Sequence, residues 1–267
     1  MIPRHWKTKQ AFLIVTTILM ALTFSGWMAM LNNFVVEEAA FTGREIGILQ
    51  SLREVPGFLA FTAVFILLVM KEQTLALVSL CLVSIGVAIT GLFPFEYGLY
   101  ATTVLMSIGF HYFETVNTSL TLQWVEKSET PTFMGKIISV KSMVSLVAYG
   151  MIWLFFSIFL LDFSTAYLVI GGLGFVLFLW LWLAFPQFES PVEQHRKLIL
   201  RKRYWLYYLL TFFSGARHQI FMVFVFYSKI SNYSKVWSIQ NRLKYFINQL
   251  DNYTKPSSHS LQQVAFL

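Results

Sequence analysis

Seven long apolar runs, separated by short polar breaks, fill the first 227 residues of the chain. A membrane-spanning helix takes about 20 apolar residues. On that ruler the pattern predicts spans at 11–36, 47–70, 74–93, 98–124, 137–160, 163–185 and 204–227. The intervening links 37–46, 71–73, 94–97, 125–136 and 161–162 are short, so consecutive spans must run antiparallel. The stretch 186–203 is different. It is longer, carries five Lys/Arg and two Glu, and divides six spans from a seventh, which reads as a linker between two units. The expected fold class is all-α, a polytopic transmembrane bundle of six helices (1–185), a basic linker (186–203) and a seventh helix (204–227).

Within the fourth span the apolar pattern is interrupted on one side. Ser107, His111, Glu114, Thr118 and Thr121 recur at steps of four, three, four and three, the spacing of a single helix face. In lipid such a stripe has to face other helices or a cavity. After residue 227 the pattern stops. The segment 228–267 is rich in Ser, Asn, Gln, Lys and Tyr; Val236, Ile239, Leu243, Phe246 and Leu250 keep helical spacing, so it reads either as a short interfacial helix or as a disordered tail with a chance register.

Composition strengthens the membrane reading. Of 267 residues, 57% are hydrophobic, 27 are Phe and only 12% are charged, against about 25% charged in an average soluble domain. The net charge of +7 does not point to nucleic acid, because the basic residues cluster between apolar runs. With the N-terminus in the cytoplasm, Arg4, Lys7, Lys9, Lys71, Lys127, Lys136, Arg196, Lys197, Arg201, Lys202 and Arg203 lie inside, against Arg44 alone outside before the seventh span. That bias gives a multi-pass protein, assigned to a bacterial inner membrane, with a cytoplasmic N-terminus. The first apolar run is too long for the core of a cleavable signal peptide and is expected to be retained. Cys81 is the sole cysteine, which removes disulfides and CxxC sites. No metal or other cofactor is expected.

A weak internal repeat links the first and seventh spans: Leu22-Thr-Phe-Ser-Gly-Trp27 and Leu210-Thr-Phe-Phe-Ser-Gly-Ala216, each after a basic and aromatic approach. Together with six spans and a basic linker, this resembles the major facilitator superfamily of secondary transporters over residues 1–226. Ser51-Leu-Arg-Glu-Val-Pro-Gly-Phe-Leu-Ala-Phe61 is also similar to the second helix of bacterial members. The superfamily's Gly-x-x-x-Asp-[Arg/Lys]-x-Gly-[Arg/Lys]-[Arg/Lys] loop is replaced here by Val69-Met-Lys-Glu-Gln-Thr74, which leaves the subfamily open. The resemblance implies two inverted three-helix repeats and a solute site near the bilayer midplane between two six-helix halves, worked by alternating access. It covers one half and the first helix of the second. A truncation or frameshift near 223–228 is therefore expected, and other reading frames beyond that point should encode five further apolar segments. The alternative is a non-transporting membrane protein, either an inactive fragment or a half that packs with a partner chain.

The ionisable residues inside the spans are the candidate solute or proton pathway. An ionised side chain near the centre of a spanning helix costs at least about 2.5–3.5 kcal/mol. Arg53 and Glu54 lie roughly 10 Å inside the outer boundary at 1.5 Å per residue, just before Pro56-Gly57, which should kink the second span. They are expected to pair with another helix, to reach for the interface, or to contact solute. Glu114 and His111 lie nearer the inner half of the fourth span. Lys141, entering from the inner side on the fifth, falls within a turn of Glu114 in depth. A Glu114–Lys141 or Glu114–His111 contact and a cavity-lining proton site are the competing readings. Arg217, with His218, interrupts the seventh span at the depth of Arg53 and either contacts solute or latches to Glu54. A surplus of one cation, Arg53, Lys141 and Arg217 against Glu54 and Glu114, tilts toward an anionic or zwitterionic solute. Asn32 and Asn33 either cap the first helix or bind solute. Gly171-Gly-Leu-Gly174 follows no strand and indicates close helix packing. Asn232-Tyr-Ser and Asn252-Tyr-Thr match glycosylation sequons that bear only on a eukaryotic secretory route. An intramembrane enzyme built on His111 and Glu114 lacks a HExxH pair, a GxSxG elbow or an Asp–Asp pair, so no enzymatic activity is expected.

Overall fold

In the computed structural model the described residues are 7–189, 202–206 and 209–210. The chain divides into units 1–223 and 224–267, and the described residues belong to the first. Their regular structure is entirely helical: α1 (Lys9–Glu37), α2 (Gly43–Phe58), α3 (Ala63–Leu67), α4 (Glu72–Thr90), α5 (Glu96–Trp124), α6 (Thr130–Ser157) and α7 (Phe163–Ala184), with 3-10 turns at Leu59–Thr62 and Lys202–Tyr204.

Local chemistry fixes several ends. The Thr8 hydroxyl accepts the Ala11 N–H at the start of α1. Thr42 and Glu45 form a reciprocal capping box on α2. Pro131 occupies the first turn of α6, where its missing N–H costs nothing. Asp162 caps α7 by accepting the Thr165 N–H and hydroxyl. Asp162 lies in a polar break of the sequence, so the start of α7 follows from the same residue that ends an apolar run.

Four helices, α1, α4, α6 and α7, are long and apolar enough to cross a membrane. Even α4, with 19 residues, reaches about 29 Å at 1.5 Å per residue, close to the thickness of a hydrocarbon core. α5 has 29 residues but is not among the four, because its seam of polar side chains dilutes its hydropathy.

The second predicted span is not one continuous helix. It is divided into α2, the 3-10 turn and α3. Pro56 lies inside α2 and removes a ladder donor, and the tighter winding follows within a turn, where the Thr62 hydroxyl donates to the Leu59 carbonyl at 2.6 Å. The fifth predicted span also differs: α6 begins at Thr130 rather than at 137 and ends at Ser157. The polar stretch 130–136 is helix rather than link because Pro131 is preset for a first turn. All but the first few residues of the seventh predicted span, the whole tail and most of the linker lie outside the described residues.

α4 is packed between α5 and α7, α1 lies against α4, α5, α6 and α7, and α2 packs on α5. Two glycine contacts let the helices around α4 approach closely. A Cβ on Gly109 of α5 would lie 2.5 Å from the Ser79 carbonyl oxygen of α4, and one on Gly171 of α7 would lie 2.2 Å from the Ala88 nitrogen. Gly174 is equally confined, against Thr23 at 2.2 Å, whereas Gly172 faces nothing within 4 Å. The close packing expected of the Gly171–Gly174 stretch thus rests on its first and last glycines.

Neighbouring helices alternate in direction. At one end the beginning of α1 (Phe12), the end of α5 (Trp124) and the residues after α7 (Phe185, Phe188) meet in an aromatic cluster with ring centroids 5.4–6.3 Å apart. At the other, Phe34 near the end of α1 packs on Phe163 and Tyr167 of α7, and Ser164 donates to the Gly91 carbonyl after α4 at 2.6 Å.

Candidate functional site

The polar stripe of α5 separates into two parts. Thr118 and Thr121 donate back to the Glu114 and Asn117 carbonyls of their own helix, both at 2.8 Å, and Thr118 is exposed. Their hydroxyls are satisfied within α5. Ser107, His111 and Glu114 do the cross-helix work. The buried Ser107 hydroxyl donates to the Arg53 carbonyl of α2. His111 is partly buried and lies within electrostatic reach of Arg53, Glu54 and Glu114. Glu114 accepts from Lys141 Nζ of α6 at 2.7 Å, the contact that the matching depths of the two residues anticipate.

Arg53 and Glu54, adjacent on α2, pair with each other. Nη2 and Nε of Arg53 donate to the same oxygen, Glu54 Oε1, at 2.7 and 3.1 Å, and Nη1 points to the Met28 sulfur of α1 at 3.3 Å. α1 offers this guanidinium a thioether and no carboxylate, so the nearest acid is its own neighbour. The side chains are 9% and 13% exposed. Those of Lys141 and Glu114 are 39% and 40% exposed. One ion pair is therefore enclosed and the other is open.

Residues without charge complete the open pair's surroundings. The rings of Phe24 (α1) and Phe110 (α5) stack with centroids 4.2 Å apart and planes 15° from parallel. Lys141 Nζ stands 5.9 Å from the Phe110 centroid, within cation–π range. Ser145, one turn beyond Lys141, donates to the Lys141 carbonyl at 2.9 Å and shares a 2.7 Å hydrogen bond with Ser25 of α1. Tyr112 and Thr62 share a 2.6 Å hydrogen bond that braces the 3-10 turn against α5. Phe24, Ser25, Met28, Phe110 and Ser145 carry no signal in the sequence that separates them from other span residues; only the assembled bundle selects them.

The remaining candidates are not brought to this cluster. Asn33 is exposed, about 7.5 Å farther along α1 than Met28 at 1.5 Å per residue. Neither Asn32 nor Asn33 caps the helix; the Glu38 N–H closes it by donating to the Phe34 carbonyl. Arg217 and His218 lie outside the described residues.

A second polar cluster sits at the end where α4 begins. The Gln73 side chain, 3% exposed, donates to the Pro186 carbonyl at 2.9 Å and accepts from the Phe188 N–H at 2.8 Å. Lys9 Nζ donates to the Glu189 carbonyl at 2.9 Å. Beside it, Glu72 accepts from Ser119 and Gln123 of α5. Residues 186–189 are thereby fastened to the start of α1 and of α4.

Chemically, the seam brings two ion pairs and an imidazole together among largely apolar helices. Among the described residues no three His, Cys, Asp or Glu side chains are grouped to hold a metal. No family model matches the chain, and no curated protein matches it.

Proposed function

We propose that this chain belongs to a secondary transporter of the major facilitator type that moves a small solute across a membrane by alternating access. The observation that carries the reading is the Lys141–Glu114 pair, open at 39% and 40% exposure and next to His111, on a helix that packs among membrane-length apolar helices. Ionisable groups in such surroundings are expensive and serve solute or proton pathways far more often than their frequency suggests. Glu114, with His111 beside it, is the proposed proton site; Lys141 is the proposed solute contact. Arg53 and Glu54 hold α2 in place beside the path. The Lys/Arg distribution supports a cytoplasmic N-terminus, and a bacterial inner membrane is the proposed location.

The test is uptake or efflux in proteoliposomes under an imposed pH gradient. Glu114→Gln should abolish the proton dependence of flux. Coupling that survives this change removes the proton assignment.

One observation favours a second reading, a non-transporting half-bundle that packs on a partner chain. α6 buries few of its residues, and Ile138, Met143 and Leu146 are each 65% exposed. Blue-native electrophoresis and crosslinking from α6 separate the two: a stoichiometric polytopic partner without solute flux favours this reading.

A further inference from the structure

The transporter reading leaves the solute open, and the arrangement around Lys141 narrows it. We propose, on the basis of that reading, that the open ion pair and the Phe24–Phe110 stack form a subsite for a zwitterionic solute carrying an apolar, ring-sized group, of the amino-acid type.

The charges give the first half of the argument. Among the described residues the seam holds two cations, Arg53 and Lys141, and each has a carboxylate at 2.7 Å. The Arg53–Glu54 pair is enclosed and the guanidinium is also engaged by Met28. It serves as a fixed part of the wall. The Lys141–Glu114 pair is the accessible one, so an incoming charged group meets both of its members. A simple anion that takes Lys141 leaves the Glu114 carboxylate without its partner, and a simple cation that takes Glu114 leaves Lys141 so; an uncompensated charge among membrane-spanning helices costs free energy. A zwitterion strands neither. Its carboxylate accepts from Lys141 Nζ, its ammonium donates to Glu114, and the site stays neutral at every stage.

The rings give the second half. Phe24 and Phe110 are both partly buried and stacked at 4.2 Å, with the Lys141 ammonium already over the Phe110 face. A stacked aromatic pair beside a charge pair offers apolar area to a ring-sized side group. Solutes with both charges and a ring use every part of this arrangement.

The experiment uses the full 267-residue chain in lipid nanodiscs and three matched probes: phenylalanine, phenylpropionate and phenethylamine. Equilibrium binding should favour phenylalanine over either single-charge probe by about tenfold or more, equivalent to about 1.4 kcal/mol. Glu114→Gln should invert the order toward phenylpropionate, and Lys141→Gln toward phenethylamine, with unfolding temperatures checked for both. Phenylpropionate binding as tightly as phenylalanine to the unaltered protein overturns the proposal, as does the absence of binding by all three. Should either variant not fold, the ranking on the unaltered protein decides alone. Phenylalanine binding without movement in proteoliposomes leaves the subsite standing and removes the transport reading. Transport of another solute without phenylalanine binding does the reverse.

Discussion

Arg53 is held by Glu54, its immediate neighbour in sequence, through two hydrogen bonds to one carboxylate oxygen. Both side chains are nearly enclosed. Breaking a buried pair by removing one partner typically costs about 3–5 kcal/mol, whereas replacing both by apolar residues is often close to neutral. Glu54→Gln should therefore destabilise the bundle far more than the double change Arg53→Met with Glu54→Leu. Chemical unfolding in detergent, run on both variants, checks the order; equal losses would contradict it.

The open pair should behave differently. With more than a third of each side chain exposed, Lys141 and Glu114 are expected to couple by less than about 1 kcal/mol where water reaches them. A double-mutant cycle over Lys141→Met and Glu114→Gln measures that coupling. The same substitutions should reduce solute flux at least several-fold, so that loss of function exceeds loss of stability.

Gln73 should be the main fastener of residues 186–189. Gln73→Ala removes a donor to Pro186 and an acceptor for Phe188, each worth about 1 kcal/mol net. Amide hydrogen exchange at Phe188 should accelerate roughly tenfold, since 1.4 kcal/mol corresponds to one decade. Gln73→Glu keeps the acceptor and loses the donor, so Phe188 should remain the better protected of the two variants.

The glycines of α7 offer a paired test. Gly171→Val forces a side chain against the α4 backbone and should cost about 1–3 kcal/mol. Gly172→Val meets open space and should stay within about 0.5 kcal/mol of the unaltered protein. Thermal unfolding of the two proteins gives the comparison directly.

Acid should loosen the start of α7. The Thr165 hydroxyl and N–H hold the Asp162 carboxyl below its ordinary value, and Thr42 does the same for Glu45 at α2. Because the folded values are the lower ones, the stabilisation is complete above the unfolded carboxylate value of about 4. It fades as pH falls through the folded values. Asp162→Asn keeps a capping oxygen without the charge, so its acid-side decline in unfolding temperature should be shallower than that of the unaltered chain.

Much of this arrangement is legible in the chain. The apolar runs place α1, α4, α5 and α7 within a few residues, because lipid-length apolar stretches admit little else. Glu114 and Lys141 can be matched because depth is read by counting from opposite ends of neighbouring spans. Arg53 and Glu54 resist that logic: adjacent helix positions do not face each other, and only the reach of the arginine brings them together. The α6 start is hidden because 130–136 is polar, although Pro131 marks it in retrospect. Thr118 shares a face with Glu114 yet bonds to its own backbone, so periodicity identifies the seam without telling which members cross it. Gln73 has no sequence signature at all; its partners are backbone atoms more than a hundred residues away.

That last contact changes how the bundle bears load. The chain leaving α7 is tied within five residues to Gln73 and Lys9, at the first turns of α4 and α1. Tension reaching residues 186–189 is therefore shared by α1 and α4 as well as α7. Whatever is tethered downstream pulls on the same helices that support Phe24, Ser25 and Met28 on one side and grip α5 on the other.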